Sequence, residues 1–483
     1  MERKKKRAFA LSAFTIILLL TYLLAIITHF LPSAQFVDET IVDGSGVVGA
    51  TLSQTLLAPI LGFADAIDIC LFVLILGAFL KMVNKTEAIE TGIQVLIKKL
   101  KGKELILIPI LMFLFSIGGT TYGMLEETVG FYALLAVAMV AAGMDTIVSS
   151  AIVLLGAGSG VLGSTVNPFA VGAAVSALPE GMTVNQGIII GVGVALWLTS
   201  LAISIFFVMR YAKKVIKDKG STFLSLQERD DMEAFYGDNE EEKTKRKNVK
   251  LKTNQKVTLI LFAITFIVMI VGFIPWEDFG VTVFSSITGW LTGSPLGLWY
   301  FNEASLWFLL MTVLIGIINK MSEHDIVDTI IDGADDMVGV ILVIAIARGA
   351  SVLMKQTYLD NFIIFNAAEG LRGMPVTIFA PLNYLLHVGL SVLVPSSSGL
   401  ATLSAPIMGP LAASVGYSTE VTLMEMVAAN GLVNLFTPTC GAIMGGLALA
   451  KVEYATWLKW VLKVVLTIAI VNIIILTVAM MLF

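Results

Sequence analysis

Glu126 and Glu127 stand side by side just after the segment Gly118-Gly-Thr-Thr-Tyr-Gly, inside an otherwise apolar stretch. Carboxylates so placed are expensive unless a cation, a proton or water compensates them. Their chemistry would be the binding of an amine, a guanidinium or a cation, although the first turn of a helix also favours negative charge. Adjacent residues point about 100° apart on a helix, so one can line a site while the other serves a structural partner. Further along, Pro395 and Gly399 bracket Ser396, Ser397 and Ser398. Hydroxyls and freed carbonyls suit a hard cation such as sodium, with Thr120, Thr121, Ser397 and Ser398 as candidate ligands. The N–H groups that open the next segment suit a carboxylate.

Asn430 and Asn434 lie four apart, on one helical face, and lead into Thr437-Pro-Thr439, so they can read a polar ligand together. Asn167 closes a similar break, Ser164-Thr-Val-Asn-Pro168. Asn383 and His387 repeat the four-residue spacing as a candidate proton relay, and a histidine there equally makes an interhelical hydrogen bond. Arg348, in an apolar helix, can hold a substrate carboxylate, but the preferred reading, with that helix running inward, has it snorkelling toward the cytoplasmic face near Lys355. Asp65 and Asp68, placed near the outer end of their helix, receive no role. Cys70 and Cys440 lie in apolar runs without metal-ligand spacing and read as packing residues.

The elements that must position these residues are membrane helices. Of 483 residues 57% are hydrophobic and 14% charged, and the mean hydropathy is +0.90. Soluble domains carry about 25% charged residues, and the apolar runs reach the roughly 20 residues that span a bilayer. Runs such as 187–208 are apolar on every face, which excludes a barrel of alternating strands. The expectation is an all-α polytopic membrane protein in a bacterial-type cytoplasmic (inner) membrane.

The basic residues Arg3-Lys-Lys-Lys-Arg7 precede the run 8–31, longer than a signal peptide's core, so a first helix with a cytoplasmic N-terminus is predicted. It and an acidic outer loop make up residues 1–55. Residues 56–209 form a first repeat, with a re-entrant hairpin at 104–143 and a broken helix at 145–178. Lys81, Lys85, Lys98, Lys99, Lys101 and Lys103 mark a cytoplasmic turn. Residues 210–256 hold 13 of the 31 Lys and Arg against 9 acids and read as a solvated cytoplasmic linker. Residues 257–300 connect, with a second, short crossing placed at 280–293. Residues 301–483 form a second repeat, with its hairpin at 374–415 and broken helix at 420–450.

The repeats are expected to be inverted. Gly77-Ala-Phe-Leu-Lys-Met matches Gly316-Ile-Ile-Asn-Lys-Met, yet lysines follow the first and the acids Glu323, Asp325, Asp328, Asp332, Asp335 and Asp336 the second. The last helix of the first half ends on Arg210, Lys213 and Lys214, whereas that of the second begins beside Lys451, Lys459 and Lys463. Inverted halves with broken helices meeting near the midplane are a recurrent architecture of secondary transporters. The alternative for the Gly, Ser and Thr clusters is close helix packing.

Gly118-Gly-Thr-Thr-Tyr-Gly-Met-Leu-Glu-Glu-Thr, Asn167-Pro-Phe, Val394-Pro-Ser-Ser-Ser-Gly and Thr437-Pro-Thr resemble the YfcC-like branch of the C4-dicarboxylate anaerobic carrier family, in the ion-transporter superfamily. The resemblance covers most of the chain. It implies inverted repeats, two re-entrant hairpins and commonly a homodimer. For substrate, the family name implies dicarboxylates, and this branch includes arginine/ornithine exchangers. Sodium–dicarboxylate relatives carry Ser-Asn-Thr at the hairpin tips. Here Gly119-Thr120-Thr121 and Ser396-Ser397-Ser398 stand instead.

Two acids in the first hairpin without a secured arginine favour a substrate bearing an amino group. The leading expectation is therefore a secondary transporter of cationic or zwitterionic amino acids, by exchange or with sodium or proton coupling. Its ligand residues would be Thr120, Thr121, Glu126, Glu127, Asn167, Ser396, Ser397, Ser398, Asn430, Asn434, Thr437 and Thr439. A C4-dicarboxylate carrier is the nearest rival and predicts that Arg348 faces the cavity. A membrane-embedded enzyme or a receptor would need catalytic pairs or signalling modules that the sequence does not offer. The bilayer and a small molecule are the expected partners, with no nucleic acid and no resident cofactor.

Overall fold

Apolar segments in lipid must close their backbone hydrogen bonds internally, and the chain does so as an all-α protein. In a computed structural model the described residues are 13–37, 40–42, 44–89, 91–92, 95, 104–179, 181–237, 251–273, 276–279, 281–284 and 288–483. Five of the described helices are long and apolar enough to cross a membrane: Ile67–Lys85, Gln186–Lys217, Phe301–Ile318, Val376–Leu393 and Tyr454–Leu482. Their outer faces stay apolar, as Leu466, Ile470 and Ile474 show by exposing one stripe of the last helix. Such a stripe belongs against lipid tails. Among the described residues, strands are confined to the two-residue pair Phe36–Val37 and Thr40–Ile41.

The helices are α1 (Ala13–Ile27), α2 (Leu52–Asp65), α3 (Ile67–Lys85), α4 (Leu107–Tyr122), α5 (Val129–Ala141), α6 (Thr146–Leu162), α7 (Gln186–Lys217) and α8 (Leu226–Tyr236). Then follow α9 (Thr253–Phe273), α10 (Phe301–Ile318), α11 (Glu323–Asp335), α12 (Val338–Thr357), α13 (Leu359–Leu371) and α14 (Val376–Leu393). The chain closes with α15 (Ser397–Ser414), α16 (Thr419–Val433), α17 (Gly441–Leu449) and α18 (Tyr454–Leu482). The basic N-terminus, Asp38, Glu39, Asp43, Lys98, Lys99, Lys101 and Lys103 lie outside the described residues.

Helices α4 and α5 form one hairpin, and α14 and α15 the other. Each packs on the broken helix that follows it. Where α4 meets α6 the contact is backbone to backbone: a Cβ on Gly119 would fall 2.1 Å from Ala157 O, and one on Gly160 the same distance from Ser116 O. Small residues here permit close approach. Gly431 of α16 likewise lies against Leu162 of α6, which joins the two broken helices at their inner ends. Tyr211, late in α7, packs on Trp460, early in α18, so those two long helices run antiparallel.

The second span is not one helix. It breaks at Ala66 into α2 and α3, so Asp65 and Asp68 sit in its middle rather than near an outer end. No Gly or Pro marks the break. Gly62 and Gly349 bring α2 and α12 together, with a Cβ on Gly62 only 2.2 Å from Ala345 O.

The charge-based placement of the acidic segment needs correction. Lys81 Nζ lies 2.8 Å from Asp336 Oδ2 and Lys85 Nζ donates to Thr329 Oγ1, so the lysines of α3 and the acids of α11 share one side. Phe72 meets Phe301 and Phe308, Phe79 meets Phe308, and Gly316 lies beside Met82. The matched segments of α3 and α10 therefore run side by side and parallel. The element antiparallel to α2–α3 is α11–α12, whose acids find lysine partners instead of marking the opposite face.

Two further expectations change. The linker is folded as far as Gly237: α8 packs back on the protein with Glu228 buried, its carboxylate accepting from Ser225 N, Glu453 N and Thr456 Oγ1. Residues 238–250 lie outside the described residues. In the stretch expected to hold a crossing at 280–293, the described residues form turns and short helical pieces, with Thr288 N donating to Phe284 O and Gly293 N to Gly289 O.

Candidate functional site

Both hairpin tips end on one cavity, and local sequence chemistry explains how. Helix α4 continues through Thr120 and Thr121 and is stopped by Gly123, whose φ of +83° is left-handed. A Cβ at Gly123 would also fall 2.7 Å from Asn167 Nδ2, so both backbone and space require glycine. A 3-10 turn, Glu126–Thr128, opens the returning arm. In the second half Ser396 Oγ accepts from Gly399 N and caps α15.

Each tip is tied to the break of its own half. Thr165 N donates to Thr120 O at 3.0 Å, and Thr120 Oγ1 donates to Gly163 O at 2.8 Å. Asn167 Oδ1 accepts from Phe169 N and Ala170 N, holding the single π-turn Pro168–Gly172. In the second half Asn430 Nδ2 and Asn434 Nδ2 both donate to Pro395 O, at 3.2 and 3.0 Å. Ser397 Oγ donates to Asn430 Oδ1, and Thr439 Oγ1 to Val392 O. Backbone groups freed by the breaks are thus satisfied by side chains, as burial demands.

The cavity encloses about 240 Å³, far more than the roughly 10–15 Å³ one water needs. From the hairpin side it is lined by Glu126, Asn167, Ser396, Ser397, Ser398, Asn434 and Thr439. The opposite wall brings Asp65, Asp68 and Arg348, with Tyr300 and Phe301 closing an aromatic edge. Phe169 meets Tyr300 edge-on at 5.0 Å between ring centres. Arg348 Nε stands 3.3 Å from Asp65 Oδ2. The expectation that Arg348 snorkels to a membrane face is therefore corrected: α12 passes the break in α2–α3, and the guanidinium finds a carboxylate there.

Over residues 11–481 the sequence matches the family described as C4-dicarboxylate anaerobic carrier. The chain belongs to this family. An uncharacterized protein of Haemophilus influenzae is 30% identical over 405 residues, spanning 84% of this chain and 74% of the relative. The Escherichia coli protein YfcC, provisionally named a basic amino acid antiporter, is 27% identical over 408 residues, spanning 82% and 74%. Among solved structures, the Alcanivorax borkumensis YdaH transporter gives a TM-score of 0.45 at 14% identity, covering 96% of this chain and 97% of its own. Neisseria gonorrhoeae MtrF gives 0.45 at 14% identity, covering 97% and 95%. Membership of the carrier family makes this chain a membrane transporter of small molecules and not an enzyme.

Within this carrier the expected ligand residues divide into layers. Those just named face the cavity, whereas Thr120, Thr121, Asn430 and Thr437 stand behind it. Thr121 Oγ1 is spent on Ile117 O within its own helix, and Thr437 and Thr439 share a hydrogen bond of 2.7 Å. Of the four candidate sodium ligands, only Ser397 and Ser398 reach the cavity. The backbone of Glu127 is in the 3-10 turn, and its side chain lies outside the described residues. Asn383 and His387 lie away from the cavity, among α14, α15 and α16. Sequence reading missed Asp65, Asp68, Phe169 and Tyr300; the signal for the aspartates was two acids in the middle of a membrane-length apolar run.

Proposed function

We propose that the carrier transports small cationic or zwitterionic amino acids, of the arginine or ornithine type, by alternating access. One observation carries this reading. Among the described lining residues, Asp65, Asp68 and Glu126 face one guanidinium, Arg348, which Asp65 already engages. The excess of negative charge favours a ligand that brings a cation. Its α-carboxylate would take the hydroxyls and N–H groups at the start of α15, its amino or guanidino end would face Glu126 and Asp68, and Asn167 and Asn434 would fix its orientation.

Movement follows from where these groups stand. Glu126 and the serines belong to the hairpins, which pack on α6 and α16. Asp65, Asp68 and Arg348 belong to α2, α3 and α12 on the other wall. A hairpin-bearing core sliding or rocking against that second body carries the ligand between the two sides. In this reading the inverted repeats begin at α2 and α11, with α9 and α10 between them. We assign the N-terminus to the cytoplasm, the carrier to the bacterial inner membrane as a homodimer, and its drive to exchange, sodium or protons.

The test is counterflow into proteoliposomes preloaded with arginine, ornithine, neutral amino acids or succinate, with and without ion gradients. Uptake driven by the cationic amino acids is expected. A second reading has its own support: Arg348 in the cavity is what a C4-dicarboxylate carrier requires. Uptake driven only by succinate would establish that reading and return Glu126 to a structural role.

A further inference from the structure

Away from the substrate cavity, the core buries an acid that the proposed transport site does not use. Glu425 lies in the middle of α16, between Met424 and Met426, and is fully buried. At about 1.5 Å per residue it sits roughly 13 Å along the helix from Asn434. Its Oε2 is 2.5 Å from Nδ2 of Asn383 on α14. Its Oε1, and Oδ1 of Asn383, are buried without a hydrogen-bond partner. Among the described residues no Lys or Arg pairs with it. An isolated ionised carboxylate is among the costliest groups a membrane interior can hold.

The surroundings offer little else that titrates. Helix α14 presents His387 and Tyr384, while α15 and α6 carry no titratable residue, and neither does the turn Pro168–Gly172. On α7 and α18 the titratable groups Arg210, Tyr211, Lys213, Lys214, Lys217, Tyr454, Lys459 and Lys463 gather at the ends that meet near Tyr211 and Trp460. Tyr384 is engaged by Asn472 Nδ2. His387 Nδ1 lies 2.7 Å from Asn383 O, a carbonyl that only accepts, so Nδ1 carries a hydrogen. Nε2 lies 2.6 Å from Ser404 Oγ, a hydroxyl that can donate or accept. The histidine ties the two hairpin arms together and has a partner for each ring nitrogen, whereas the carboxyl keeps one oxygen unpartnered.

Asn383 is suited to follow that change. An amide turned by half a revolution exchanges its donor for its acceptor. Its N–H meets the carboxylate, and its Oδ1 meets the acid's O–H. We propose that Glu425 is the coupling-proton site of this carrier, binding a proton from one side of the membrane and releasing it to the other, with the Asn383 amide turning to match. The proton adds to one carboxylate oxygen and leaves by the reverse step, and no other bond changes. The proposal rests on the chain being a transporter and not on the identity of its substrate.

The test uses the full chain reconstituted in lipid, wild type and Glu425→Gln, an isostere of the protonated acid. Infrared spectra taken from acid to alkaline pH should show a buried protonated carboxyl that titrates in the wild type and is missing from the variant. A wild type with no such band, a band that never titrates, or one that persists in Glu425→Gln overturns the proposal. In transport, the variant should retain arginine counterflow while the several-fold stimulation by a proton gradient falls to none. Equal stimulation of both proteins also overturns it. Failure of arginine counterflow in the wild type would instead reject the substrate reading, and the infrared titration would still decide Glu425.

Discussion

Arg348 Nε and Asp65 Oδ2 stand 3.3 Å apart, linking the middle of α12 to the last residue of α2 at the cavity wall. Their side chains are 25% and 45% exposed, so water screens the pair and its own contribution is small, about 0–1 kcal/mol. Removing one partner is worse than removing both, because it leaves a charge uncompensated. Arg348→Gln is expected to slow arginine counterflow by up to about fivefold, roughly 1 kcal/mol. Asp65→Asn/Arg348→Gln should recover most of that loss. A double variant as slow as the single one would place Arg348 on the substrate's carboxylate.

Glu126 lines the same cavity from the hairpin side. A hydrogen bond to a charged group contributes about 1.5–3 kcal/mol. Glu126→Gln should therefore weaken apparent arginine affinity about ten- to hundredfold in competition assays, with succinate uptake unimproved. Unchanged affinity would remove Glu126 from the ligand.

Gly123 and Gly119 constrain the first hairpin differently. Gly123→Ala forces a side chain into a left-handed residue beside Asn167, a strain of about 1–3 kcal/mol, and should lower the thermal midpoint in detergent. Gly119→Ala drives a Cβ into Ala157 O of α6 and should cost more, because two backbones must part. Equal midpoints for Gly119→Ala and wild type would contradict the backbone contact of α4 with α6.

Glu228 accepts two hydrogen bonds that hold α8 on the start of α18, from Glu453 N and Thr456 Oγ1, and a third from Ser225 N at the cap of α8 itself. Glu228→Ala leaves those donors short of a partner, at about 1–3 kcal/mol for each one that stays buried. The linker should then be cut faster by limited proteolysis, with α8 as the new site. Cleavage indistinguishable from wild type would mean that α8 is held by other contacts, such as Lys451 over the Phe235 ring.

Where the chain announces a break with Gly, Pro and clustered hydroxyls, the architecture was legible: the tips at Gly123 and Pro395 and the breaks at Asn167 and Thr437 all stand where those residues do. Such residues lose or distort helix geometry whatever surrounds them. The break at Ala66 has no such mark, since Ala is the best helix former. Only tertiary contact with Arg348 and the cavity explains its aspartates. Glu425 was hidden for a similar reason, being one acid in an apolar run whose meaning depends on Asn383, 42 residues earlier. The sidedness of α11 was misread because acidic loops pair with lysines of a neighbouring helix as readily as they mark a membrane face. The family resemblance drawn from the tip and break motifs was borne out by the match over residues 11–481.

Docking α8 through Glu228 also closes a loop between distant parts of the chain. The carboxylate accepts from Glu453 N and Thr456 Oγ1, 225 and 228 residues further on. Helix α18 is already packed against α7 at Tyr211 and Trp460. The end of the first half is thus clipped to the last helix of the second by hydrogen bonds as well as by ring contact, and the two halves meet there without any help from the chain that joins them.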